Sequence, residues 1–301
     1  MYVIVSIISM FFEGGIMAVI KKICDKDING LHVNLYEFDV NDKTSVDELR
    51  NYLIEKVKNS KAHSKDTYDL SFYSSSNMDP RFIKRFNAQA AAISVPVRTS
   101  NPTFDVRRER ITEWMAQFLL EQKLGCKFYD EADKRMNLNP VEINKHTPGI
   151  DVPGIWIDGN TFRFIVCEVK AAETKIPCSS AVGLMNDIQK SIDNKNGRLS
   201  LEILDYMSRL KNITIRDDLL EHIVVFLSNV IADSKNLTKD TMFLPFLIRN
   251  YKDIVKNHDL RDFDKFFLNN VNKSNVENIL FSFEKSFTDF SNDIYSEAIG
   301  G

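Results

Sequence analysis

The spacing of apolar residues divides the chain into alternating strand-like and helix-like stretches. Leu31, Val33 and Leu35, then Phe38, follow the two-residue period of a half-buried strand over 31–40. A helical stripe follows at Leu49, Leu53 and Val57, with Thr44 or Ser45 as its N-cap. "DLSFYSS" at 69–75 is a short strand candidate, and "SNPT" at 100–103 reads as a linker. From 105 to 124, Ile111, Trp114, Met115, Phe118, Leu119 and Gln122 trace one helical stripe that Gly125 ends. Residues 126–148 are polar and irregular, and a hairpin is expected over 149–171. Helices are predicted near 181–193, 199–211 and 216–233, the last with Leu219, Leu220, Ile223, Val224, Leu227, Val230 and Ile231 on one face. "TMFLPFLIRN" is a strand whose Pro245 predicts an edge or bulge position. The tail reads as a helix carrying Ile279, Phe283, Phe287, Phe290 and Ile294. Mixed strands and helices imply an α/β or α+β class. The expected division is an N-terminal α+β domain (17–100), a core (101–215) and a mostly helical C-terminal extension (216–301).

The first sixteen residues stand apart. They are apolar, yet no Lys or Arg precedes the run and Glu13 interrupts it, which suits neither a signal peptide nor a membrane span. Glu13-Gly14-Gly15 is encodable by a purine-rich sequence resembling a bacterial ribosome-binding site just before Met17. Two readings stay open: translation starting at Met17, or a genuine N-terminal strand.

The central hairpin carries the chemistry. In "FIVCEVKAAE" (164–173), Phe164, Val166, Glu168 and Lys170 share one face, and Ile165, Cys167 and Val169 the other. Apolar residues on both faces mark a strand covered on both sides. Charged residues are rarely buried unless paired, so Glu168 and Lys170 at its end mark a salt bridge or a site. Glu121/Lys123 and Glu173/Lys175 repeat the E-x-K spacing, but on a helix end and in a polar loop. A two-residue turn at Gly159-Asn160 sets Asp158 against Thr161 and, counting back, Asp151 against Glu168. A bulge at Pro153 or Gly154 would instead oppose Ile150 or Val152. Opposed carboxylates repel at roughly 4.5–5.5 Å, so the pair calls for a cation, and oxygen ligands without Cys or His suit Mg²⁺ or Mn²⁺.

Asp151 followed by Glu168-Val169-Lys170 on adjacent strands resembles the PD-(D/E)XK nuclease superfamily, with Ile150 in place of its Pro. The resemblance covers about 105–212 and implies a restriction-endonuclease-like core, a mixed central sheet flanked by helices. It implies catalytic roles for Asp151, Glu168 and Lys170, with Val169 offering its carbonyl to the metal. Glu113 in "RITEWMAQFLLEQ" would carry the acidic residue of the preceding helix, with Glu109 and Glu121 as rivals. More narrowly, the stretch from "ITEWMAQFLLEQKLG" through "TPGIDVPGIWIDG" to "FIVCEVKAAE" is similar to the HamA/AbpA family of bacterial anti-phage nucleases. That family acts in Hachiman-type antiviral defence with a superfamily 2 helicase partner (HamB-like). The implied activity is Mg²⁺-dependent DNA hydrolysis, and the alternative is a non-catalytic subunit that keeps the fold and docks a partner.

Composition changes this picture little. With 44% hydrophobic and 27% charged residues, the 301-residue chain has ordinary globular proportions, and its net charge of -3 excludes a uniformly basic coat. Local basic clusters remain as DNA-backbone candidates: Arg81, Lys84 and Arg85, then Arg107, Arg108 and Arg110. Gln189 and Lys190, on the helix after the hairpin, are phosphate-contact candidates or a solvated face. Cys24, Cys126, Cys167 and Cys178 show no C-x-x-C pairing, so they read as free thiols in a reducing, cytoplasmic setting, and no zinc site is expected. Glycine-rich nucleotide motifs are absent, which argues against a Rossmann enzyme.

Overall fold

The computed structural model describes residues 20–28, 30–66, 79, 81–82, 95–98, 105–138, 143–145, 149–173, 180–210, 217–232, 237–251, 259 and 268–299. The alternative start, the strand candidate at 69–75, Lys84, Arg85, the 100–103 linker and Cys178 lie outside them.

Six strands form one mixed sheet: β1 (Ile20–Ile28), β2 (Leu31–Phe38), β3 (Val152–Asp158), β4 (Thr161–Ala172), β5 (Thr241–Arg249) and β6 (Glu277–Ser282). Their order is β1-β2-β6-β5-β4-β3. The β1–β2 and β3–β4 pairs are antiparallel hairpins, whereas β2–β6, β6–β5 and β5–β4 are parallel. One face is covered by α1 (Lys43–Asp66), α2 (Val106–Leu124) and α6 (Phe287–Ile299). The other is covered by α3 (Ser180–Ile192), α4 (Arg198–Arg209) and α5 (Asp217–Ile231). Both apolar layers draw residues from all three expected segments, and strands of all three share the sheet.

The helices near 181–193, 199–211 and 216–233 stand close to where their periodicity predicts them. Helix α2 ends at Gly125 in the left-handed conformation (φ 65°), with Asp105 as N-cap. It is buried on every side from Arg110 to Leu120, because it lies between the sheet and its neighbouring helices. The cap of α1 is Asp42, which accepts from the Ser45 amide at 2.8 Å, rather than Thr44 or Ser45.

Three expectations are corrected. Ile279 lies on strand β6, with Phe283 just beyond it, and the terminal helix begins at Phe287. Asn278 through Ser282 is buried on both faces, and a doubly buried strand has no period of its own to separate it from a helix. Pro245 lies in an interior strand, not at an edge. The β5–β6 ladder runs from Phe246 onward, with an isolated bridge at Phe243, so residues 244–245 fall in a gap that tolerates a missing N–H. Finally, α5 buries Leu219, Ile223, Phe226 and Val230, while Leu220, Val224 and Ile231 face outward.

Candidate active site

The β3–β4 register decides what faces what. Pairing runs unbroken from Asp158↔Thr161 to Val152↔Cys167, passing Pro153↔Val166 and Gly154↔Ile165 without a bulge. Pro153 is accommodated because β3 is an edge strand. Gly159 holds φ +55° in the turn, a conformation that a residue with a Cβ adopts at a cost. One step beyond the last pair, Asp151 comes opposite Glu168. There the strand ladder stops, and the Asp151 carboxylate takes over, accepting the Val169 amide at 2.7 Å. In an extended strand the N–H and C=O of one residue point to the same side, so the Val169 carbonyl faces this same edge.

Glu168 is 4% exposed, and its Oε1 accepts from Ser191 Oγ at 3.2 Å. Burial pushes its carboxyl well above the ordinary range, and the neighbouring Asp151 charge adds to this. Burial also raises Asp151, opposed by its bond to the Val169 amide and by the charge of Lys170. Lys170 lies two residues on, and its ammonium pairs with Asp187 Oδ2 at 3.0 Å. Burial disfavours that ammonium's charge, but Asp187 holds its pKa above the ordinary value. Asp187 and Ser191 are one turn apart on α3, a rise of about 6 Å. This matches the two-residue step between Lys170 and Glu168 on β4. The helix thus reads both charges of the strand.

Glu113 reaches the site from α2, on the opposite face of the sheet. Its Oε2 accepts from Arg135 Nη1 at 2.6 Å, and Arg135 also grips Asp133 through Nη2 at 2.6 Å. The two carboxylates respond differently to the shared guanidinium. Burial raises Glu113 well above the ordinary range, with Arg135 opposing and Asp151 and Glu109 reinforcing the rise. Burial acts on Asp133 as well, but its several bonds to Arg135 outweigh it and hold the carboxyl low. We assign the guanidinium charge mainly to Asp133, which makes the fuller set of contacts. Glu113 and Asp151 line a shared narrow cleft with Arg135, Asp133, Glu202 and Tyr206.

The other candidates fare unevenly. Arg110 is 1% exposed and donates to the Ile143 carbonyl at 2.9 Å. Arg107 donates to the Pro96 carbonyl at 2.6 Å and lies over the Tyr295 ring. Arg110 is buried and Arg107 half-buried, because the start of α2 is packed against α6. Arg108 is half-buried, and exposed Arg81 pairs with Asp79 at 3.1 Å. Gln189 braces residue 269 in both directions, its Nε2 donating to the Asn269 carbonyl and its Oε1 accepting from the Asn269 amide. Lys190 shares Asp187 with Lys170. Cys126 and Cys167 are buried free thiols, and burial pushes Cys126 up to about 12.

Sequence reasoning missed Arg135, Asp133, Asp187 and Glu202. Asp187 and Ser191 flank the apolar stripe of α3, a signal that was available; Arg135 sits in an irregular segment that gave none.

Among the described residues, no group of three or more His, Cys, Asp or Glu side chains is arranged to hold a metal. The donor set still fits Mg²⁺ or Mn²⁺, which bind through one or two carboxylates and keep several waters. Burial and the adjacent Asp151 charge both raise Glu168, while the Lys170 ammonium beside the pair is drawn off to Asp187, and a hard cation would relieve that conflict. No helix among the described residues is long and apolar enough to cross a membrane. No family model matches the chain, and no curated protein matches it.

Proposed function

We propose that this chain is a metal-dependent nuclease with a PD-(D/E)XK-type core, and that it hydrolyses phosphodiester bonds in DNA. The observation that carries the reading is that Asp151, one step past the last β3–β4 pair, bonds the Val169 amide and lies beside Glu168 at the end of a doubly covered strand, with Lys170 on the same face as Glu168. Asp151, Glu168 and the Val169 carbonyl would hold Mg²⁺ or Mn²⁺. When bound, such an ion supplies Lewis-acid neutralisation of charge at a scissile phosphate. Lys170, 40% exposed, presents a positive charge where that phosphate would sit. Asp187 fixes the direction of this ammonium, and Glu113 adds a carboxylate from the opposite helix layer. By its resemblance to HamA/AbpA nucleases, the chain would serve antiviral defence beside a superfamily 2 helicase.

The second reading is a non-catalytic subunit that keeps the fold and docks a partner. It is favoured by the intramolecular ion pairs of Glu113 with Arg135 and of Lys170 with Asp187. The experiment is incubation with plasmid and linear DNA, in Mg²⁺ or EDTA, alone and with a co-encoded helicase. Wild type is expected to cleave in Mg²⁺ and Lys170→Ala to lose at least about 100-fold, the scale of removing one transition-state charge partner. Equal cleavage by the two proteins would disprove the site, and no cleavage by either, even with the helicase, would favour the docking subunit.

A further inference from the structure

We infer that Glu202, together with Arg198, is a positioning residue that clamps the turn carrying Asp151 and so fixes the ligand geometry at the end of β3; the inference rests on the nuclease reading above. Two α4 side chains hold consecutive backbone groups. Arg198 Nη2 donates to the Gly149 carbonyl at 3.0 Å, and Glu202 Oε2 accepts the Ile150 amide. Arg198 Nε donates to Glu202 Oε1 at 3.2 Å, so the two side chains form one unit.

The turn is shaped to receive that unit. Gly149 adopts φ +121°, which side chains with a Cβ rarely reach. A Cβ there would also lie 2.9 Å from Glu202 Cδ. Asp151 follows directly and is anchored at its other end by the Val169 amide. The carboxylate therefore hangs between two fixed points: α4 through residues 149–150, and β4 through residue 169. Helix α4 is itself set on the sheet by Leu199, Ile203 and Tyr206, so the clamp transmits the position of the helix layer to Asp151. Without it, only contacts to β4, at Val169 and Glu168, would hold an Asp just past the end of an edge strand. Groups that orient a metal ligand typically change metal affinity 10–100-fold when removed.

The test compares Glu202→Ala, Glu202→Gln and Arg198→Ala with wild type in the full chain. The readouts are hydrogen exchange at the Val169 amide, Mn²⁺ affinity by calorimetry and thermal midpoint. Glu202→Ala should speed Val169 exchange about tenfold and weaken Mn²⁺ about tenfold or more, with a near-native midpoint. Glu202→Gln keeps an acceptor for the Ile150 amide and should recover most of both. If Glu202→Ala does not fold, Arg198→Ala, at a 44% exposed position, must show the same two losses. Unchanged exchange and unchanged Mn²⁺ affinity, with wild type binding Mn²⁺, would overturn the clamp and leave the nuclease reading intact. Faster Val169 exchange in a protein whose wild type binds no Mn²⁺ would support the clamp and sink the metal reading.

Discussion

Replacing Glu168 by Gln separates a metal site from a structural ion-pair network, because the two give opposite signs. Glu168 is 4% exposed and faces Asp151. At the roughly 5 Å separation of opposed strand side chains, two unit charges repel by about 3 kcal/mol at an effective dielectric constant of about 20. Gln has the same shape and keeps an acceptor for Ser191 Oγ, so the change removes charge with little loss of packing. In EDTA at pH 8, Glu168→Gln should stabilise the protein by about 1–3 kcal/mol. The pH dependence has a definite sign. The folded-state carboxyl is raised above its ordinary 4.5, so its stabilising contribution is fully present below that value and disappears as pH rises through the folded value. The gain from Gln should therefore be small near pH 4.5 and grow as pH rises. Adding Mn²⁺ should reverse the ranking, stabilising wild type by about 2.7 kcal/mol at a hundredfold excess over its dissociation constant and the variant much less. Urea unfolding with matched slopes measures all three effects. If the variant loses more than about 1 kcal/mol in EDTA, the cost of breaking a useful ion pair, and Mn²⁺ stabilises neither protein, the reasoning fails.

Burial raises Glu121 on α2 to about 7, so it stabilises fully below pH 4.5 and progressively less up to pH 7. Glu121→Gln should flatten stability across that window and gain on the order of 1–3 kcal/mol at pH 8, which denaturant titrations at stepped pH would check; a parallel shift at every pH would contradict the assignment. Gly159→Ala places a Cβ at φ +55° and should cost about 1–2 kcal/mol, with cleavage per folded molecule retained; a larger activity loss at equal folded fraction would mean that the turn, beyond setting register, acts at the site.

The hairpin and the placement of the candidate site on it were legible because their causes are local. A glycine in a two-residue turn sets register, and a period-2 strand then assigns each side chain to a face, so Asp151, Glu168 and Lys170 followed by counting. Glu113 was legible as a position on α2 but not as a partner of Arg135, since the segment carrying Arg135 has no period to place it. The surroundings of the basic run at 107–110 were not legible for a related reason. Charge in a sequence suggests solvent, yet the start of α2 is packed against α6, and Arg107 and Arg110 each donate to a backbone carbonyl, of Pro96 and Ile143. Strand β6 was hidden because burial on both faces erases the alternation that would reveal it.

By itself, the sequence determined the α/β class, the long buried helix, the hairpin and its turn, and the face shared by Glu168 and Lys170. All of these depend on residues close together in the chain, where dihedral preference and apolar period act directly. The tertiary structure alone decided the strand order, the insertion of β5 and β6 between the two hairpins, and the ring of Arg135, Asp187, Ser191 and Glu202 around the carboxylates. Those contacts join residues far apart in sequence, and their free energy exists once helices from both faces close on the sheet and remove water from the charges between them.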